Sequence, residues 1–140
     1  MVETTQFLKL THDGALAALK AGIAKATEMG QPQCISIVDN GGNLLAFVRM
    51  DGAFHMSLET SLRKARTAAS YGEPSGGLME GVDIKLALGT DGQRINLPGG
   101  LPIIVDGHCI GGVGVGSGTG EQDREVAAAA IGAIPGSQSF

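Results

Sequence analysis

Large rings are nearly missing from this chain: 4% of its 140 residues are aromatic, with no tryptophan and a single tyrosine. A core filled by stacked rings is excluded, and the 23 glycines, together with abundant alanine, favour close approach of backbones instead. Basic charge is short too. Ten Lys and Arg stand against fourteen Asp and Glu, a net charge of −4, so no basic field marks a nucleic-acid or anionic-lipid surface. No apolar run approaches the length that crosses a bilayer, and "MVETTQFLKLTHDG" has neither the basic start nor the apolar centre of an export signal. The expectation is a soluble, cytoplasmic protein without nucleic-acid or membrane partners. Cysteine is limited to Cys34 and Cys109, each alone in an apolar run, which predicts buried free thiols. No two of His12, His55 and His108 have metal-ligand spacing, and no metal site is expected.

What is present predicts one domain over residues 1–140, of ordinary size for its 43% hydrophobic content. Leu16, Leu19, Ile23 and Ala26 recur at helical spacing between Thr11, a candidate N-cap, and the stop signals Gly30 and Pro32. "CISIVD" and "NLLAFVRM" flank Asn40-Gly41-Gly42-Asn43 and read as a hairpin. A second helix spans Met56 to Tyr71, with Leu58, Leu62, Ala65 and Ala69 as its stripe and Gly72 and Pro74 after it. Residues 75–100 stay open: Ser75 to Glu80 reads as a short helix or a loop, and "VDIKLALG" as helix or strand. "LPIIV" and "HCIGGVGV" surround Asp106-Gly107, the preferred pair of a type I′ hairpin turn. Thr119 and Gln122 have capping-box spacing, opening an alanine-rich helix to about Ile134. The order of elements is that of an α+β fold with a central antiparallel sheet flanked by helices.

The run "IGGVGVGSGTGEQD" resembles a phosphate loop in composition only. It lacks the Lys-Ser/Thr end of a Walker loop, and its sixth position after Gly112 is Ser117 instead of the glycine of a dinucleotide fingerprint. Glu121 and Asp123 would also repel an anion at the start of the last helix, where they already suit the helix dipole. In a strand, Gly112, Gly114 and Gly116 share one face and Val113 and Val115 the other. Something must come close to that glycine face. The candidates are the alanine-rich Ala127 to Ala130, a neighbouring subunit, or a flat ligand.

Few side chains carry chemistry. Arg49 and Asp51 leave the second strand together and read as a solvated strand end, or as a guanidinium that clamps a carboxylate with Asp51 orienting it. Glu121, at the junction of sheet and helix, adds a candidate general base; with these three as catalytic residues the chain would be a cofactor-independent isomerase, lyase or hydratase on a small carboxylate. Lys64 and Thr67 share one helical face, Arg63 and Arg66 another, and most of this surface reads as solvated.

"VDNGGNLLAFVRMDGA", "KARTA" and "GGLPIIVDGHCIGGVGVGSGTGEQDREVAAAA" resemble successive signatures of the GlcG/HbpS family, which includes the C-terminal half of PduO-type proteins and lends its name to a haem-degrading domain. The resemblance covers nearly the whole chain. It implies a central antiparallel sheet flanked by helices in profilin-like layers, a homo-oligomer, and small-molecule binding in which haem, or another flat organic molecule, is the ligand. His55, Lys64, Gly99, Gly100, Gly114 and Gly116 are the ligand-contact candidates that go with it, and His55 or His108 is the available axial imidazole for haem. Where the family commonly reads Gly-Val-Ser-Gly-Gly, this chain has Gly114-Val115-Gly116-Ser117-Gly118, which moves the hydroxyl by one residue.

Overall fold

A computed structural model describes residues 2–140. The elements among them run α1 (His12–Met29), β1 (Cys34–Asp39), β2 (Leu44–Arg49), α2 (Ser57–Tyr71), α3 (Val82–Gly89), β3 (Gly100–Val105), β4 (His108–Gly116) and α4 (Gly120–Ile131). The strands form one antiparallel sheet in the order β2-β1-β4-β3, so the fold is α+β with helices on both faces. Each sequence hairpin is present. They join through β1 and β4, where Cys34, Ser36 and Val38 stand opposite Gly116, Gly114 and Gly112.

Local chemistry explains the element ends. Thr11 accepts a hydrogen bond from the Gly14 N–H at the start of α1, and Gly30 closes that helix in the left-handed region at φ 67°. Asp106 and Gly107 both have positive φ, 50° and 77°, as a type I′ turn demands. Thr119 and Gln122 form the capping box of α4. That helix stops at Ile131, short of Ile134, because Ala133 and Ile134 turn back onto the carbonyls three residues before them. Ser75 to Glu80 is not helical. Ser75 instead ties the segment to the sheet: its N–H donates to the Gly100 carbonyl, its Oγ accepts the Gly100 N–H at 2.8 Å, and its hydroxyl donates to the Leu97 carbonyl at 2.6 Å. "VDIKLALG" is the helix α3, and none of its residues is buried.

The two faces of the sheet are packed differently. On one, Ile35, Ile37, Val113 and Val115 meet α1 and α4 through Ala18, Gly22, Val126, Ala127 and Ala130. Burial of each Val or Ile side chain contributes about 1.5–3 kcal/mol, so this face is the main hydrophobic core. On the other face lies α2, resting on Gly112, Gly114 and Gly116. A Cβ on Gly112 would stand 2.5 Å from the Ala65 carbonyl oxygen, and one on Gly114 would overlap the Ser61 carbonyl. The helix on the glycine face is therefore α2, and the Ala127 to Ala130 segment packs on the valine face. Strand parity decides this: the larger residues of β4 point to α4, leaving bare backbone for α2.

The same close approach shifts the helical stripes read from hydrophobicity. Leu19 and Ala26 of α1 and Ala65 and Ala69 of α2 are buried as read, but Leu16 and Leu58 are each 43% exposed, and Ala15, Ala18 and Gly22 of α1 and Ser57, Ser61 and Ala68 of α2 are buried instead. Small residues allow α2 to settle on backbone; leucines would hold it off.

Candidate functional site

Where β4 passes into α4, α2 delivers Lys64 beneath the surface. Its Nζ donates to the Val115 carbonyl at 2.8 Å and to Asp123 Oδ2 at 2.9 Å, while Asp123 Oδ1 accepts the Gly118 N–H at 2.9 Å. The side chains are 6% and 4% exposed. Lys64 thus faces a carboxylate of its own chain, and Asp123, legible in sequence only as a first-turn charge, is its counterion. Gly99 makes room for the pair: at φ 122°, its missing Cβ would lie 2.8 Å from Asp123 Cβ and 3.1 Å from Lys64 Nζ. Gly100, Gly114 and Gly116 lie beneath α2. Gln33 is fully buried beside this corner, and its carboxamide has no hydrogen-bond partner among the described residues.

Cross-strand register sets Arg49, Cys34 and Gly116 in one row, so the end of β2 and the entry to α4 occupy the same end of the sheet. The side chains of Arg49, Asp51 and Glu121 are exposed there, and no ion pair joins them among the described residues. Ser117, the displaced hydroxyl, stands at φ 100° and ties the loop to the turn: its Oγ accepts the Phe54 N–H at 3.1 Å and its carbonyl accepts from Gln31 at 3.3 Å. His55 follows in that loop and is exposed. Burial pushes the Cys34 thiol up in pKa, outweighing the opposing Ser117 hydrogen bond and Arg49 charge; burial likewise raises Cys109.

His108 occupies a different place. It opens β4 opposite Val105, half-buried, with its ring edge-on to Phe7 at 5.4 Å between centroids and 79° between planes. The hollow beside it has a volume of about 460 Å³ and is lined by Gln6, Phe7, Leu8, Asp106 and His108. An apolar groove of about 300 Å³ adjoins it, sharing Leu8 and continuing along Leu10, Val105 and Ile110. An imidazole bordered by exposed apolar side chains can hold a flat ligand against one face and a metal-bearing centre at its nitrogen. Phe7 and Leu8 carried no signal in the sequence, because the 6–10 segment acquires its role only by lying beside the distant β3–β4 turn.

A third hollow, of about 370 Å³, lies between the β1–β2 turn, the C-terminal half of α2 and residues 90–94, with Arg66, Tyr71 and Arg94 on its walls. Arg66 read as a solvated helical residue, and nothing local marked Tyr71 or Arg94. Among the described residues no group of three or more His, Cys, Asp or Glu side chains could hold a metal ion, and no helix is long and apolar enough to cross a membrane.

Residues 10–132 match the family model described as haem degrading protein HbpS-like. The chain is 40% identical over 136 residues to a 15.0 kDa protein of the dhaT-dhaS intergenic region of Citrobacter freundii, spanning 94% of this chain and 96% of that one. Among solved structures it is similar to protein ORFY of Klebsiella pneumoniae, with a TM-score of 0.89 and 36% identity over 95% of both chains. It is also similar to PduOC in its complex with haem, with a TM-score of 0.84 and 27% identity over 95% of this chain and 99% of that chain. Sequence signatures, sheet order and these likenesses agree: the chain belongs to the HbpS-like family.

Proposed function

We propose that this protein binds a flat organic molecule in the hollow at His108, and that haem is its ligand. One observation carries the reading: a half-buried imidazole faces a hollow walled by Phe7 and Leu8, in a chain whose relative PduOC forms a haem complex. The residues fit the group. Haem needs an axial donor and apolar contact for its ring, which His108 and the Phe7–Leu8 wall supply, while Lys9 on the adjoining groove offers a cation to a carboxylate. Haem, when bound, supplies redox and oxygen chemistry at iron. The chain's own contribution is to orient His108 through its edge contact with Phe7 and to exclude water along the apolar groove. Stoichiometric haemin should give a sharpened, shifted Soret band, changed by His108→Ala and retained in His55→Ala. A spectrum that stays that of free haemin overturns the reading.

The proposal includes self-association. Ile84 and Leu88 of α3 are 63% and 75% exposed, and Met79 just before it is 73% exposed, apolar side chains that a second copy of the chain would cover. Light scattering at micromolar concentration should report a multiple of the 14.2 kDa chain mass, and a strictly monomeric mass contradicts this part.

A further inference from the structure

The cleft at the C-terminal half of α2 holds two guanidinium groups that have no acidic partner among the described residues. Arg66 is held in place by neutral acceptors: its Nε donates to the Gly42 carbonyl at 2.9 Å and its Nη1 to Gln93 Oε1 at 3.0 Å. Arg94 stands over the Tyr71 ring, its Cζ 3.3 Å from the centroid, with its backbone N–H fixed on Thr90 Oγ1 at 2.9 Å. Arg94 Nε is buried and has no hydrogen-bond partner among the described residues. The walls include no Asp or Glu, and neither guanidinium has a carboxylate within ion-pair distance among the described residues. Lys9, Lys20, Arg49, Lys85 and Arg124 also have no ion pair among the described residues, so what sets Arg66 and Arg94 apart is that they share one cleft. In a chain with fourteen acids and ten bases, two like charges in one cleft without an acid between them describe a place for an anion from outside.

We infer that this cleft binds a small organic carboxylate through the forked guanidinium groups of Arg66 and Arg94, a site separate from the hollow at His108. Its volume, about 370 Å³, is at the small end of the range for ligand pockets, which suits a metabolite of a few carbons. Two features favour a carboxylate over a phosphate. The amides of the nearby turn are already engaged, Gly41 N–H on Asp39 Oδ1 and Gly42 N–H on the Asp39 carbonyl, so no nest of free N–H groups awaits a phosphate. The helix also presents its C-terminal half, whose dipole opposes a dianion more than a monoanionic group. Ser70 and Tyr71 add hydroxyls on the same wall.

Tyr71 makes the test local, because the chain has no other tyrosine and no tryptophan. The full-length protein is titrated with lactate, a monocarboxylate, at constant ionic strength while Tyr71 emission is followed, with calorimetry as a second readout. A saturable change is expected, weakened about tenfold or more in Arg94→Gln, which loses charged hydrogen bonds to the ligand. Arg94→Lys, which keeps the charge and loses the planar fork, should bind more weakly than the natural protein but more tightly than Arg94→Gln. Circular dichroism confirms that each variant is folded, and the Lys variant keeps the test decisive if the Gln variant is not. His108→Ala should leave the titration unchanged, which separates failure at this cleft from failure of haem binding. The inference is overturned by a response no greater than that to sodium chloride, by equal binding in folded Arg94 variants, or by inorganic phosphate binding more tightly than lactate.

Discussion

Lys64 Nζ stands 2.9 Å from Asp123 Oδ2, joining α2 to α4 across 59 residues of sequence with both side chains almost out of water. Removing either partner strands a charge in the interior, which costs about 3–5 kcal/mol. Lys64→Met and Asp123→Asn should each lower unfolding free energy by that order in urea titrations. Their double substitution should recover part of the loss, since no charge is then left alone. Single variants that lose less than about 1 kcal/mol would show that the pair is not buried as described.

The glycine face predicts two different outcomes for the same substitution. A Cβ at Gly114 collides with the Ser61 backbone, which cannot move without lifting α2, so Gly114→Ala should cost about 3 kcal/mol or prevent folding. At Gly30 a Cβ meets nothing within 4 Å, and the cost is only that of φ 67°, about 1 kcal/mol. Thermal denaturation of the two variants gives the comparison. Equal losses contradict the packing of α2 on β4.

Asp39 links the first hairpin to pH. Burial pulls its carboxyl pKa up, but hydrogen bonds from the Asn43 and Gly41 amides and the Asn43 side chain outweigh it and hold the group below the ordinary carboxylate value. A pKa lower in the folded than in the unfolded chain contributes stability above the unfolded value, near 3.9, and loses it as pH falls through the folded one. Stability should therefore decline below about pH 4, and Asp39→Ala should remove about 1 kcal/mol at pH 7, a figure kept small by solvent screening. Urea titrations at pH 7 and pH 3 check it. An Asp39→Ala loss as large at pH 3 as at pH 7 contradicts the ionic origin.

The thiols should be slow to react. Burial raises Cys34 and Cys109 above the usual thiol pKa, which lowers the thiolate fraction, and Cys34 has no solvent-exposed surface. A thiol-specific reagent at pH 8 should modify Cys34 only on the timescale of unfolding, and both cysteines at once in guanidinium chloride. Rapid labelling of Cys34 in the native protein contradicts its burial.

Elements built by local chemistry were legible in the sequence: Thr11 and Gly30 around α1, Asp106-Gly107 in the second hairpin, and the Thr119–Gln122 box of α4. The α+β class followed from their order. What depended on partners across the sheet was less legible. The hydrophobic stripe marks Ala65 and Ala69 correctly and Leu58 wrongly, because the glycines of β4 select Ser57 and Ser61 beside Ala65, and only strand pairing shows which helix meets them. The hollow at His108 and the cleft at Arg94 are hidden for the same reason. Phe7 lies about a hundred residues from His108, and Arg66 comes together with Gln93 and Gly42 only in the folded chain.

The position of iron in a crystal of the protein grown with haemin, located by anomalous scattering, tests haem binding at His108 most directly. The iron should lie at bonding distance from an imidazole nitrogen of His108, with the ring against Phe7 and Leu8. Iron found at His12 or His55, or in the cleft of Arg66 and Arg94, would contradict it.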